Sequence, residues 1–264
     1  TGINYTGTAY IIFGKASGFT DVSLVRLNSS QGFAIIGYEY PVSLGFAVDG
    51  GGDINGDGYF DILISKVSGS SVSVLAYVIF GHSGSFSDIT LSSLSSFQGF
   101  SIAGLNPSSS NVGKSISWAG DVNKDGYSDI VIGTPAVNSN TGMVYIILGS
   151  SNPSNIVLSD LTPSKGIKIT GAIVSDFAGC AVAGARDVNN DGYDDVIIGA
   201  YGVNSNAGRA YIILGGNKLT NVNLAAITVE QGFYIAGCPN DKNGVSVAGM
   251  DINIYDHYFW HLML

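Results

Sequence analysis

Residues Ala119 to Gly133 read AGDVNKDGYSDIVIG, and the order of residue types in this stretch decides the fold. Asp121, Asn123 and Asp125 place short oxygen-bearing side chains at alternate positions. Gly126 follows, where the chain must reverse sharply and a residue without Cβ enters positive φ at little steric cost. Tyr127 and Asp129 complete the loop. Asp129 to Gly133 then forms a β-branched run of the kind expected of a buried inner strand.

The same nine-residue loop occurs three times: Asp53 to Asp61 (DINGDGYFD), Asp121 to Asp129 (DVNKDGYSD) and Asp187 to Asp195 (DVNNDGYDD). The starts are 68 and 66 residues apart, and a degraded copy begins 64 residues further on at Asp251. Other landmarks keep the period. An aromatic residue or leucine precedes glycine at Phe13-Gly14, Phe80-Gly81, Leu148-Gly149 and Leu214-Gly215. Gly-x-x-Ile-x-Gly recurs at Gly32 to Gly37, Gly99 to Gly104, Gly166 to Gly171 and Gly232 to Gly237. Self-similarity at one period marks a repeat architecture.

One repeat, read from Gly99, holds four short strands. These are Phe100 to Ala103, Lys114 to Trp118, Asp129 to Gly133 and Met143 to Leu148. Lys114 to Trp118 alternates polar and apolar residues, which predicts a half-buried strand. Helix is confined to single turns such as Leu91 to Leu94 and Leu158 to Leu161. Repeated four-stranded sheets predict an all-β fold, a β-propeller of four-stranded blades. A β-solenoid is the alternative, although its repeats are usually much shorter. The expected organisation is one domain over residues 1–264. Its repeats fall at about 32–98, 99–165 and 166–231, with a split unit of 1–31 plus 232–264.

Composition agrees with short strands and tight turns. The 264 residues are 45% hydrophobic and only 12% charged, with 37 glycines. The net charge is −9, and nine of the 18 Asp occupy the alternate positions of the three loops. One Ca²⁺ per loop would offset six of those nine charges. No Lys/Arg cluster is available to neutralise phosphates, which excludes nucleic acid as an expected partner. No apolar run reaches the roughly 18 residues needed to span a bilayer. The two cysteines, Cys180 and Cys238, are read either as buried thiols or as one disulfide. Asn4 and Asn28 begin glycosylation sequons, and the chain starts at Thr1, which suits a processed protein or a fragment.

The loops point to calcium. Ca²⁺ takes six to eight oxygens at about 2.3–2.6 Å. The expected donors are Asp53, Asn55, Asp57, the Tyr59 carbonyl and Asp61 in the first loop. In the second they are Asp121, Asn123, Asp125, the Tyr127 carbonyl and Asp129. In the third they are Asp187, Asn189, Asp191, the Tyr193 carbonyl and Asp195. Three carboxylates held a few ångströms apart repel one another unless a cation sits between them. A lone copy can also be read as an Asx-turn with a solvated acidic face; three copies in register argue against that reading and for about three calcium ions. An EF-hand is excluded, because no Glu stands at the twelfth position. In the fourth copy Tyr255 replaces a ligand Asp and the turn glycine is missing, so no full site is expected there.

The run Ala-Gly-Asp-Val-Asn-x-Asp-Gly-Tyr-x-Asp-Ile-Val-Ile-Gly, followed by Val-Tyr-Ile-Ile-Leu-Gly, resembles the FG-GAP repeat of integrin α-subunit propellers. Ala119 to Gly133 and Gly184 to Ala200 carry the resemblance most clearly. The family's Gly-Ala-Pro signature stands as Gly133-Thr134-Pro135 and Gly199-Ala200-Tyr201, and has decayed to Ser65-Lys66-Val67. Propellers of this family usually have seven blades. Four repeats could close as a four-bladed propeller, an uncommon form; the favoured expectation is a longer parent protein, or association with further propeller sequence or copies of the chain itself.

No catalytic signature is present, and none of the three His (His82, His257, His261) has a triad or metal-ligand setting. The resemblance implies an extracellular or cell-surface module for adhesion or protein interaction, braced by structural calcium. A carbohydrate-binding propeller is one alternative. The other is a non-catalytic accessory domain of a secreted hydrolase, such as a phospholipase D specific for glycosyl-phosphatidylinositol anchors. The expected contact surfaces are the loops Tyr38 to Ser43, Leu105 to Val112 and Ala172 to Asp176, with Tyr38 and Tyr40 as candidate anchors.

Overall fold

Each stretch of β-branched residues found its partner one landmark away, so the chain folds into sheets that follow one another in sequence. The computed structural model describes residues 7–18, 21–38, 42–68, 74–104, 115–249, 251–254 and 257–260.

Four sheets of three to five strands carry the fold. The third sheet shows the pattern in full. Its inner strand Ser115–Gly120 pairs with Asp129–Thr134, which pairs with Met143–Ile147, which pairs with Gly166–Thr170, all antiparallel. A short fifth strand, Val222–Asn223, joins Gly166–Thr170 in parallel and comes from the linker between the third and fourth strands of the next sheet. The second sheet repeats this with Val42–Gly52, Asp61–Ser68, Val74–Ile79, Gly99–Ala103 and Ile156–Val157. The fourth holds Val182–Arg186, Asp195–Ala200, Arg209–Ile213 and Gly232–Ala236. The first has only Thr8–Ile12, Gly32–Ile36 and Ile89–Thr90. These meandering sheets are β-propeller blades.

The core lies between blades. One apolar cluster joins the first and second sheets around Phe33, Ile35, Tyr77 and Ile79. Another joins the second and third around Leu63, Trp118, Ile130 and Tyr145. A third joins the third and fourth around Val131, Ile146, Ile198 and Tyr211. Asp129–Thr134 and Asp195–Ala200 are buried along their whole length, as their continuous apolar runs predicted.

Ser115–Gly120 departs from the expectation of a half-buried strand, for most of it is buried. Its polar residues face neighbouring blades rather than water. Ser117 Oγ donates to Asp49 Oδ2 at 2.8 Å, and the Trp118 N–H donates to the same oxygen at 3.0 Å. The Val182 N–H donates to Ser115 Oγ at 2.6 Å. Lys114 lies outside the described residues.

The helical turns at Leu91–Ser93 and Leu158–Asp160 are 3₁₀, with counterparts at Leu24–Arg26 and Leu224–Ala226. Two further turns, Val137–Asn140 and Val203–Asn206, contain left-handed residues: Asn138, Ser139 and Asn140 have φ of 53°, 56° and 63°. Asp251–Ile254 and His257–Trp260 pair as an antiparallel hairpin where the degraded fourth loop falls. No helix among the described residues is long and apolar enough to cross a membrane.

Candidate metal centres

Each Asp loop connects the inner strand of a blade to the second strand. The local sequence folds the loop around its first aspartate. Asp53 Oδ1 accepts the Gly56 N–H at 2.8 Å and the Asp57 N–H at 3.2 Å, while Oδ2 accepts the Gly58 N–H at 2.8 Å. Asp121 does the same for Asp125 (3.0 Å) and Gly126 (2.9 Å), and Asp187 for Asp191 (3.0 Å) and Gly192 (2.7 Å). Gly58, Gly126 and Gly192 turn the chain at φ of 87°, 92° and 91°, where a Cβ would be strained.

The middle positions lock onto each other. Asn55 Nδ2 donates to Asp57 Oδ2 at 2.9 Å, and the Asn55 Oδ1 accepts the Asp57 N–H at 3.1 Å. Asn123 with Asp125 and Asn189 with Asp191 repeat both contacts. Asp57, Asp125 and Asp191 accept the N–H of Tyr59, Tyr127 and Tyr193 at 2.9 to 3.0 Å.

The ninth residue lies behind the loop, at the start of the second strand. Asp61, Asp129 and Asp195 are buried. Each accepts two backbone N–H groups, one from its own loop and one from the glycine two residues past the third strand. For Asp129 these donors are Val122 and Gly149, both at 2.8 Å. For Asp61 they are Ile54 and Gly81, and for Asp195 they are Val188 and Gly215. This explains the recurring Phe-Gly and Leu-Gly landmark. A Cβ on Gly149 would sit 2.6 Å from the Ser128 carbonyl oxygen, so only glycine brings its N–H close enough.

Burial raises these carboxyls. Asp129 is pushed up to about 8, first by burial and then by the charges of Asp125 and Asp121, against the two backbone hydrogen bonds. Asp61 and Asp195 rise to about 6 for the same reasons. A carboxylate that burial and like charges disfavour is one that a nearby cation would favour.

The oxygen-only donors, their alternation and the sharp glycine turn suit a hard cation such as Ca²⁺. The loops bring the first, third and fifth residues together and set the ninth behind them. Among the described residues, no group of three or more acidic, His or Cys side chains is disposed to hold a metal ion. In each loop the carboxylates close on backbone N–H groups instead.

Sequence reasoning missed the eighth loop position, which ties one loop to the one before it. Ser128 Oγ accepts the Asp53 N–H at 3.0 Å, and the Ser128 N–H donates to the Asp53 carbonyl at 2.9 Å. Asp194 Oδ2 accepts the Asp121 N–H at 2.8 Å, and its own N–H donates to the Asp121 carbonyl at 3.2 Å. Polarity at this position in the second and third loops, against Phe60 in the first, was the available signal. The tyrosines join in: Lys124 Nζ lies 5.7 Å from the Tyr193 ring centroid.

Other expectations fare variously. Cys180 and Cys238 are unpaired, and Cys238 is exposed rather than buried. His82 stacks on Phe86 at 4.1 Å on the surface. At the blade end opposite the Asp loops, Ile173 and Val174 are exposed but Asp176 is buried. Tyr38 is exposed, with Lys66 Nζ 5.6 Å from its ring centroid. Tyr40, Leu105 to Val112 and Asn4 lie outside the described residues.

The FG-GAP repeat model matches residues 112–147 and 178–213, which contain the second and third loops. The chain thus carries FG-GAP repeats at these residues and is similar in sequence to integrin α-subunits. It is 29% identical to integrin alpha-V of Gallus gallus over 210 residues, 77% of this chain and 19% of that protein. It is 28% identical to integrin alpha-PS5 of Drosophila melanogaster over 183 residues, 68% of this chain and 17% of that protein. Against integrin alpha-X of Homo sapiens identity is 36% over 93 residues, 34% of this chain and 8% of that protein. The chain thus spans about a fifth or less of the curated relatives it matches.

Proposed function

We propose that this chain is a calcium-braced propeller module for adhesion or protein interaction outside the cell or at its surface. Similarity to integrin α-subunits supports the interaction role. The observation that carries the calcium reading is the threefold loop, with a buried Asp61, Asp129 or Asp195 raised toward neutrality by burial. The proposed ligands are the side chains of the first, third, fifth and ninth residues and the carbonyl of the seventh, in each of the three loops.

The ion acts as a brace rather than a sensor or catalyst. Eighth-position bonds from Ser128 and Asp194 already chain the loops across two blade seams. An ion that fixes one loop therefore stiffens the seam beside it. At millimolar extracellular calcium, sites of modest affinity fill. The partner, a protein or glycan, is met at the opposite blade ends, where Ile173 and Val174 are exposed on the linker between two blades.

Thermal melting in EGTA against millimolar calcium tests this reading. A rise in melting temperature with calcium, together with titration of three ions, is expected. Asp125→Ala should leave two. An unchanged melting temperature would remove the structural role.

A further inference from the structure

The three loops differ at the fourth position, which the ion-binding pattern does not use. It is Gly56 in the first loop, Lys124 in the second and Asn190 in the third, with φ of 71°, 59° and 58°. Gly56 follows Asn55, so the first loop alone contains an Asn-Gly pair. The chain has one other, Asn243-Gly244.

We propose that Asn55-Gly56 is a site of spontaneous covalent modification, a deamidation through a cyclic imide that proceeds when the first Asp loop opens. The Gly56 amide nitrogen gives its proton to hydroxide and attacks Asn55 Cγ. The new N–C bond closes a five-membered imide, the Cγ–Nδ2 bond breaks, and ammonia leaves after taking a proton from water. Water then adds to one of the two imide carbonyls. Opening one way leaves Asp at position 55; opening the other way leaves an isoaspartyl linkage. Water is the only co-reactant and nothing is oxidised.

The absence of a side chain on Gly56 leaves its nitrogen unhindered, and the pair is reachable: Gly56 is exposed and Asn55 is half-buried. The closed loop ties off every reacting atom. The Gly56 N–H is held by Asp53 Oδ1 at 2.8 Å. Asn55 Oδ1 accepts from the Asp57 N–H and Nδ2 donates to Asp57 Oδ2. Tyr127, from the next blade, lies against Gly56, its Cε1 2.7 Å from where a Cβ would stand. Reaction therefore follows the open fraction of this loop. Asn243-Gly244 provides the contrast. Gly244 is buried against Gly199, and the Asn243 N–H donates to the Ala207 carbonyl at 3.0 Å.

The products change the loop in opposite directions. Aspartate at position 55 adds a fourth carboxylate beside Asp53, Asp57 and Asp61. An isoaspartyl linkage lengthens the backbone between Asp53 and Asp57 and takes their oxygens out of register. Only the first loop would age in this way.

The test is to hold the folded chain in mildly alkaline buffer with EGTA, then map Asn55, Asn123, Asn189 and Asn243 by peptide mass and isoaspartyl labelling. Asn55 should react first, about tenfold faster if its loop opens about 1.4 kcal/mol more easily than the seam over Asn243. Equal rates at the four sites, or an intact Asn55, overturn the proposal. Gly56→Asn, which gives the first loop the residue of the third, should suppress the reaction. Should that variant not fold, Asn55→Asp serves: ammonia release at the wild-type rate would overturn the assignment. A calcium arm rests on the proposed ion, which should slow Asn55 about 100-fold at 100 times its Kd. Rapid Asn55 deamidation that calcium neither slows nor accompanies with a melting shift rejects the calcium reading and leaves the modification standing. A calcium melting shift with an inert Asn55 does the reverse.

Discussion

Tyr10 and Tyr145 hold the same place in the repeat, the middle of the strand that runs into Phe-Gly or Leu-Gly. Their strands are nearly the same sequence, TAYII and MVYII. Yet Tyr145 is 0% exposed and Tyr10 is 39% exposed. Tyr77 and Tyr211, the other two copies, side with Tyr145. The difference lies in the neighbours. Met143–Ile147 is flanked by Asp129–Thr134 on one edge and Gly166–Thr170 on the other, whereas Thr8–Ile12 pairs, among the described residues, with Gly32–Ile36 alone. The far end repeats the lesson. Phe233 is 46% exposed, while Phe33 and Phe100, its equivalents, are covered by the linker strands Ile89–Thr90 and Ile156–Val157. A blade's burial is supplied by adjacent blades, so stability is a sum over seams, as in other repeat proteins.

The largest effect should separate the two tyrosines. Tyr145→Ala empties a site between the second and third sheets and should cost about 3–5 kcal/mol, the range for truncating a large buried aromatic. Tyr10→Ala should stay within about 0.5 kcal/mol, as exposed substitutions do. Urea unfolding of both variants measures the gap. Equal costs would mean that the edge of Thr8–Ile12, unpaired among the described residues, is covered in solution and would break the comparison.

Much of this was legible in the sequence, because the loops are closed by local bonds. Asp53, Asn55 and Asp57 reach partners within five residues, and a nine-residue pattern carries that information. The period placed the strands for the same reason. What one repeat cannot carry is its contacts with the next. Ser115 and Ser117 looked solvent-facing by alternation, but their hydroxyls serve strands 67 and 68 residues away. Loop polarity hid the left-handed turns. Three successive non-glycine residues at positive φ cost about 1–2 kcal/mol each. Bonds such as Phe177 N–H to the Asn140 carbonyl (2.8 Å), made across the seam-forming linker, offset that cost. The cysteines gave no signal of exposure, since a thiol's setting depends on which loop covers it.

Calcium should sharpen the contrast between interior and edge. An ion bound at 100 times its Kd adds about 2.7 kcal/mol per site. That gain belongs to sheets with an Asp loop, the second, third and fourth. The first sheet's described strands contain none. Hydrogen exchange with and without EGTA should show calcium protecting Asp61–Ser68, Asp129–Thr134 and Asp195–Ala200. Thr8–Ile12 should change little. Uniform protection along the chain would mean that the blades unfold as one unit rather than seam by seam.

The smallest effects test the seams themselves, through the eighth loop position. Ser128→Ala removes the acceptor of the Asp53 N–H and should cost about 0.5–1.5 kcal/mol, the usual worth of one hydrogen bond. Asp194→Ala does the same to Asp121, with more at stake because its carboxylate accepts the bond. Phe60 holds this position in the first loop and is 74% exposed. Phe60→Ser should therefore be close to neutral. The order matters more than the values. Asp194→Ala should weaken the seam between third and fourth sheets, Ser128→Ala the seam between second and third, and Phe60→Ser neither. Exchange rates at Trp118, Val182 and their partners read each seam separately. A Phe60→Ser variant as damaging as Asp194→Ala would place a further loop against the first one, and the chain's interior would then extend past the edge that Tyr10 marks.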